Sequence, residues 1–217
     1  MSNGQVPRYA PALLACLLMV GGCQSAYYAT MEKFGYEKRD LLKEAVVDAR
    51  DEQKDAGKEF KDALTRLKEL TGYDGGRLEA AYNRLKSDYE DCESAAQAVR
   101  ERITKMDRIA TDLFAEWESE IGQISNANFA ADSRRKLSDT RTRYNALGAS
   151  LRSAEATMEP VLRQFKDYVL YLKHNLNAQA IASLKGEAAS IQNDIARLID
   201  QMNASIKQAD EFVRSMP

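Results

Sequence analysis

Chemistry needs reactive side chains in the right company, and this chain supplies few of them. Its one histidine is His174. Acid–base work by a histidine needs a carboxylate to orient it and a substrate within reach. The nearest acid in sequence is Asp167, two helical turns back. A cation or cap at a helix C-terminus accounts for His174 more cheaply. Glu116, Glu118 and Glu120 offer carboxylates, but a di-iron bundle also takes a Glu-x-x-His from each of two helices, which one histidine cannot furnish. Cys16, Cys23 and Cys92 are the cysteines; with no Cys or His pair at ligand spacing, conventional zinc and haem sites are excluded. Asp74-Gly75-Gly76-Arg77 is no substitute for a G-x-x-x-x-G-K phosphate loop. The expectation is a protein that is not an enzyme, with no catalytic residue, metal or cofactor.

The remaining chemistry sits at Cys23. Residues 12–20 are all apolar, preceded by Arg8 and followed by Gly21-Gly22-Cys23. That run is too short for a bilayer span, which takes about 20 residues, and fits the core of a secretory signal with small residues before the cut. The form Val20-Gly21-Gly22-Cys23 resembles the lipobox of bacterial lipoproteins; a plain signal peptide is the other reading. The resemblance implies a signal peptide over 1–22, lipidation of Cys23 by palmitate-type chains, and a membrane as partner through that lipid. Gln24 stands where Asp would hold such a protein in the inner membrane, so the implied place is the periplasmic face of the outer membrane. Several acyl chains, at about 0.8 kcal/mol per buried methylene, anchor far better than one. Cys92 is then alone in an oxidising compartment, either buried or bridged to another chain; its place on an apolar helix seam favours burial.

The elements behind these residues are helices. No proline occurs between Pro11 and Pro160, which permits long unbroken helices. From Leu78 the apolar positions run Tyr82, Leu85, Tyr89, Cys92, Ala96, Val99, Ile103, Met106, Ala110, Leu113 and Trp117. Steps alternating four and three make a heptad seam. A similar seam runs from Leu137 through Tyr144, Leu151, Met158 and Phe165 to Leu172, and another from Ile181 through Ile195 to Phe212. The earliest is weaker and alanine-rich: Leu42, Ala45, Ala49, Glu52, Ala56, Ala63, Leu67, Leu70. Strand signals are absent. The fold class is all-α, a long antiparallel bundle or coiled coil of about four helices near 26–70, 77–121, 129–172 and 178–216, one domain over 23–217.

Punctuation marks the joints. Gly72, Gly75 and Gly76 stop a helix. Ser125-Asn126-Ala127-Asn128 is a second break, with Asp132 or Ser133 as the cap of the next helix, and Asn177 reads as an N-cap after a third. Pro160 lies inside a seam that passes through it in phase, which reads as a kink. Near-equal lengths and short loops favour one up-down-up-down bundle, while two helical hairpins fit the same pattern.

Charge excludes another class. With 31 Lys and Arg against 33 Asp and Glu, there is no clustered basic surplus for phosphate, so no nucleic acid is expected. Mixed-sign groups such as Lys38-Arg39-Asp40 suit solvated helix faces. Tyr168-Val169-Leu170-Tyr171-Leu172, however, is apolar on every face of a helix. Either the neighbouring tip loop covers it or it is an exposed patch. The second reading makes Tyr168, Tyr171, His174, Asn175 and Asn177 a candidate binding site for a protein partner.

The lipobox followed by Tyr27-Tyr28, the Tyr73-Asp74-Gly75-Gly76 turn, and the stretch from Val169 to Ala178 together resemble an uncharacterised family of Gram-negative lipoproteins known only as a domain of unknown function. The resemblance implies a helical envelope protein and brings no activity. The expected role is structural, a spacer or adaptor. Two alternatives stand beside it: a module holding a small ligand or lipid in the bundle core, which bulky seam residues such as Tyr82, Tyr89, Trp117, Tyr144 and Phe165 disfavour, and a homo-oligomer in which the alanine seam of the first helix packs on another copy.

Overall fold

The computed structural model describes residues 37–71 and 78–216. Among them the chain is all α, with α1 over Lys38–Thr71, α2 over Leu78–Ile121, α3 over Ala127–Ala156, α4 over Met158–His174 and α5 over Ala178–Ser215. The signal segment 1–22, Cys23, Tyr27-Tyr28, the expected opening of the first helix before residue 37, and the Tyr73-Asp74-Gly75-Gly76 turn lie outside the described residues. Two compact units divide the chain, Met1–Leu41 and Leu42–Pro217. Of the first, the described part opens α1: the Leu41 N–H donates to the Glu37 carbonyl at 3.1 Å, and Arg39 pairs with Glu37 at 3.2 Å.

The second unit is one up-down-up-down bundle in which α3 and α4 share a place. Cross-helix pairs show the directions. Along α1 and α2, Asp48 meets Lys105 at 3.5 Å and Arg66 meets Asp88 at 3.9 Å, so numbers rise on one helix as they fall on the other. The same holds for Arg100 with Glu155 (2.7 Å) and Glu118 with Arg141 (3.1 Å) between α2 and α3. Arg143 donates to the Ser215 carbonyl, Gln164 to Asp194, and Arg50 to Asp210, which ties α5 antiparallel to α3, α4 and α1. One bundle, not two hairpins, satisfies all of these. Most of the pairs are exposed, and each contributes under about 1 kcal/mol; burial of the seams does the stabilising.

Three seams bury as their spacing predicts, with Leu85, Met106, Leu147, Leu151, Phe165, Ile191 and Ile195 among the fully enclosed side chains. Tyr82, Tyr89 and Trp117 sit at the margins instead, half-buried, because each has a polar tip that needs a partner. The Tyr89 hydroxyl donates to Glu93 at 2.8 Å, and burial followed by that bond pushes its phenol up to about 12. Trp117 Nε1 donates to Ser133 Oγ at 2.8 Å.

The first seam needs correction. It runs Leu42, Val46, Ala49, Gln53, Ala56, Phe60, Ala63, Leu67, Leu70, all buried, in unbroken steps of four and three. Glu52 lies off it and faces Arg102 at 3.3 Å; Gln53 takes the core position. Phe60 supplies bulk the alanines lack, and Ala45, Ala49, Ala56 and Ala63 are enclosed within this chain. The alanine face is therefore consumed inside the bundle and not left for another copy.

Two joints also differ from expectation. The helix predicted over 129–172 is interrupted at Thr157. Pro160 has no N–H to give the Ala156 carbonyl, and its ring crowds it. Thr157 stays near helical dihedrals (φ −81°, ψ −11°) and folds its hydroxyl back onto the Ala154 carbonyl at 2.7 Å. The phase survives, since Ala154, Met158 and Val161 are all buried. The N-cap of α3 is Asn126, not Asp132 or Ser133: its side chain accepts from the backbone N–H of Asn128 (3.0 Å) and Phe129 (3.1 Å). Asn126 has extended backbone one residue before the helix, where the orphan N–H groups point. Asp132 lies a turn too far in and pairs with Arg135 and Lys136.

Toward the end of the bundle where α2 and α5 finish, Tyr144 packs edge-on to Phe114 and Phe212, with ring centroids 5.6 and 6.0 Å away. Its hydroxyl donates to Asp107 at 2.6 Å, and Arg152 reaches the same carboxylate at 2.8 Å. Burial first, then the Asp107 bond, raises the Tyr144 phenol far above its ordinary value. Gly148 leaves room for this clamp, because a Cβ there would stand 2.9 Å from the Arg152 guanidinium.

Candidate functional site

The α4–α5 joint is built by its caps. Asn177 has extended backbone, and its side chain accepts from the Ala180 N–H at 2.9 Å, so it opens α5 as the spacing predicts. Asn175 closes α4: its Nδ2 donates to the Tyr171 carbonyl at 3.0 Å, and its N–H bonds to the Leu172 carbonyl at 3.2 Å. Satisfying orphan helix-end groups in this way is what fixes a short turn. Lys173 and His174 occupy the last turn of α4, where cations suit the helix dipole.

The five predicted site residues therefore separate. Asn175 and Asn177 are spent on caps. Tyr168 is half-buried and its hydroxyl donates to the Glu187 carbonyl at 3.1 Å; burial, then the nearby Glu187 and Asp167 charges, raises its phenol, so it stays a neutral donor. Tyr171 and His174 stand exposed. The run 168–172 splits by face: Val169 and Leu172 enter the core, while Leu170 (47%) and Tyr171 (40%) face outward. Leu176, in the turn, is 39% exposed. Sequence reasoning does not single out Leu170 or Leu176 as binding residues. A signal for Leu170 is present, since it sits three and four residues from Lys173 and His174 on one helix face.

Elsewhere charged groups pair along single helices, as Lys86 does with Glu90, or tie neighbouring helices, as Arg100 does with Glu155. Among the described residues no three of His, Cys, Asp and Glu gather as a metal would need, and no helix is long and apolar enough to cross a membrane.

Cys92 is fully buried, as its seam position predicts. Desolvation above all, then the carboxylates of Glu59, Asp88, Asp91 and Asp62, drives its thiol well above the usual range. Since the thiolate is the nucleophile, native Cys92 should react with a maleimide at pH 8 on the order of 100-fold more slowly than a free thiol. Peptide mass mapping of labelled Cys92, before and after unfolding in urea, checks this; rapid native labelling would contradict it.

Taken together, these features define an all-α, antiparallel, seam-packed bundle whose exposed apolar side chains gather mainly at one turn. The chain belongs to the family described as protein of unknown function (DUF2959), whose model matches residues 27–216. No curated protein and no solved structure matches it.

Proposed function

We propose that this protein is a non-enzymatic, membrane-anchored lipoprotein of the cell envelope. Lipid on Cys23 holds it at the periplasmic face of the outer membrane. Its bundle serves as a spacer or adaptor that presents the α4–α5 tip to a protein partner. The observation that carries the adaptor reading is the exposure of Leu170, Tyr171 and Leu176 within seven residues at that joint. Helix caps lock the turn, so the patch is preorganised, and a rigid surface loses less entropy on binding. Clustered exposed apolar side chains mark interaction sites more often than scattered ones do. The tether reading is supported by Val20-Gly21-Gly22-Cys23 and by a family match that starts at residue 27, just past it.

The docking test is the double substitution Tyr171→Ala/His174→Ala. Both side chains are exposed, so helix content by circular dichroism should be unchanged, while the partners crosslinked in the native envelope should fall about tenfold or more. An unchanged crosslinking pattern and envelope phenotype would remove the tip as the docking surface.

A further inference from the structure

The exposed large apolar side chains among the described residues are Phe129, Leu170, Tyr171 and Leu176, and three of these share the α4–α5 tip. That tip has a sign. Residues 168–186 contain no Asp or Glu, although the chain as a whole carries 33 acids. Within the same stretch Lys173 and Lys185 are exposed and in no ion pair among the described residues. Lys173 lies one turn from Leu170 on the same helix face. The flanking acids, Asp167 and Glu187, stand outside the stretch, and the nearby ends of α1 and α2 carry both signs in Lys68, Glu69 and Glu79.

We infer that the occupant of this tip is an acidic protein segment, one that sets two or more carboxylates beside apolar side chains. The inference rests on the docking reading above. A partner that covers Leu170, Tyr171 and Leu176 must also strip water from Lys173, and an ammonium group buried without a carboxylate opposes binding. Several of the tip's other polar atoms are occupied: the Asn175 amide nitrogen and the Asn177 side-chain oxygen by caps, the Tyr168 hydroxyl by the Glu187 carbonyl. Lys173 and Lys185 are its exposed ammonium groups, and a carboxylate is their natural acceptor. A second copy is disfavoured, because tip-to-tip contact would set Lys173 and Lys185 against like charges. An anionic lipid surface is disfavoured as well, since basic lipid-binding patches gather about four to eight cations and this stretch has two lysines and His174.

The test is selection of random displayed peptides on the full chain, purified from membranes into phosphatidylcholine nanodiscs. Selected peptides should be rich in Asp and Glu next to Leu, Ile or Phe, and should bind less tightly as salt rises. Lys173→Glu/Lys185→Glu should weaken them by about tenfold or more, with helix content unchanged, whereas Lys173→Arg/Lys185→Arg should keep most of the affinity. Neutral or basic peptides whose binding is lost in Tyr171→Ser would overturn the acidic partner while leaving the docking surface in place. Absence of any peptide that depends on Tyr171 would overturn both. Co-flotation of the discs with phosphatidylglycerol vesicles through the same residues would make lipid the occupant and overturn the inference.

Discussion

Cys23→Ser should empty the outer-membrane fraction of this protein and abolish its labelling by radioactive palmitate, with the precursor accumulating uncleaved. The size of the effect follows from hydrocarbon burial. Each acyl methylene in lipid contributes about 0.8 kcal/mol, so one chain gives marginal, reversible binding and two or more give stable anchoring. Serine at that position offers no thiol to alkylate, so the acyl chains would go together. None of the described helices could replace them, since none is long and apolar enough to cross a membrane. The outer-membrane share should fall by about 100-fold or more, read by density-gradient fractionation with immunoblotting. An unlabelled variant that still bands with the outer membrane would end the tether reading and leave the fold untouched.

Much of this architecture is legible because a heptad seam is a direct statement about burial. Steps of four and three keep one stripe facing inward over a whole helix, so spacing alone places Cys92, Leu151 and Ile195 in the core. The first helix misleads for a specific reason. Following Ala45 and Ala49 leads to Glu52, whereas the true stripe passes through Val46, Gln53 and Phe60. A glutamine at a core position looks like an interruption until its partners are known, and those partners, Leu151 and Ser205, are 98 and 152 residues away. Local spacing cannot report contacts at that separation. Caps show the same limit: Asn177 follows directly on the turn residues and is plain, while Asn126 is hidden among three other small polar or alanine positions. At the tip, the excess of apolar residues is visible in the sequence. Which of them the bundle absorbs is not, because that depends on the rotation of α4 about its own axis. Val169 and Leu172 face inward, Leu170 and Tyr171 outward.

Gln53→Glu should cost the fold about 3 kcal/mol at neutral pH and progressively less in acid. Gln53 is fully buried on the inner stripe of α1. Its Nε2 donates to the Leu151 carbonyl of α3 at 3.1 Å, and its Oε1 accepts from the Ser205 hydroxyl of α5, whose single proton is shared with the Met202 carbonyl at 2.9 Å. A carboxylate keeps the bond from Ser205 but loses the donor, so one of its oxygens faces the Leu151 carbonyl, lone pair to lone pair. Burial disfavours the charged form and raises the carboxyl pKa in the native state above the ordinary value of about 4.3. The native state then binds more protons than the unfolded one, so stability rises as pH falls. Recovery begins as pH drops through the raised native value and is complete below about 4.3, where the neutral acid can donate its O–H to Leu151. Gln53→Leu separates charge from shape. It removes donor and acceptor together, Ser205 retains Met202, and the cost should stay within about 1 kcal/mol. Urea midpoints for both variants, each taken against the unsubstituted chain at the same pH, carry the comparison. A Gln53→Glu penalty independent of pH would mean that water reaches this layer, and that the tie between α1, α3 and α5 lies outside the dry core.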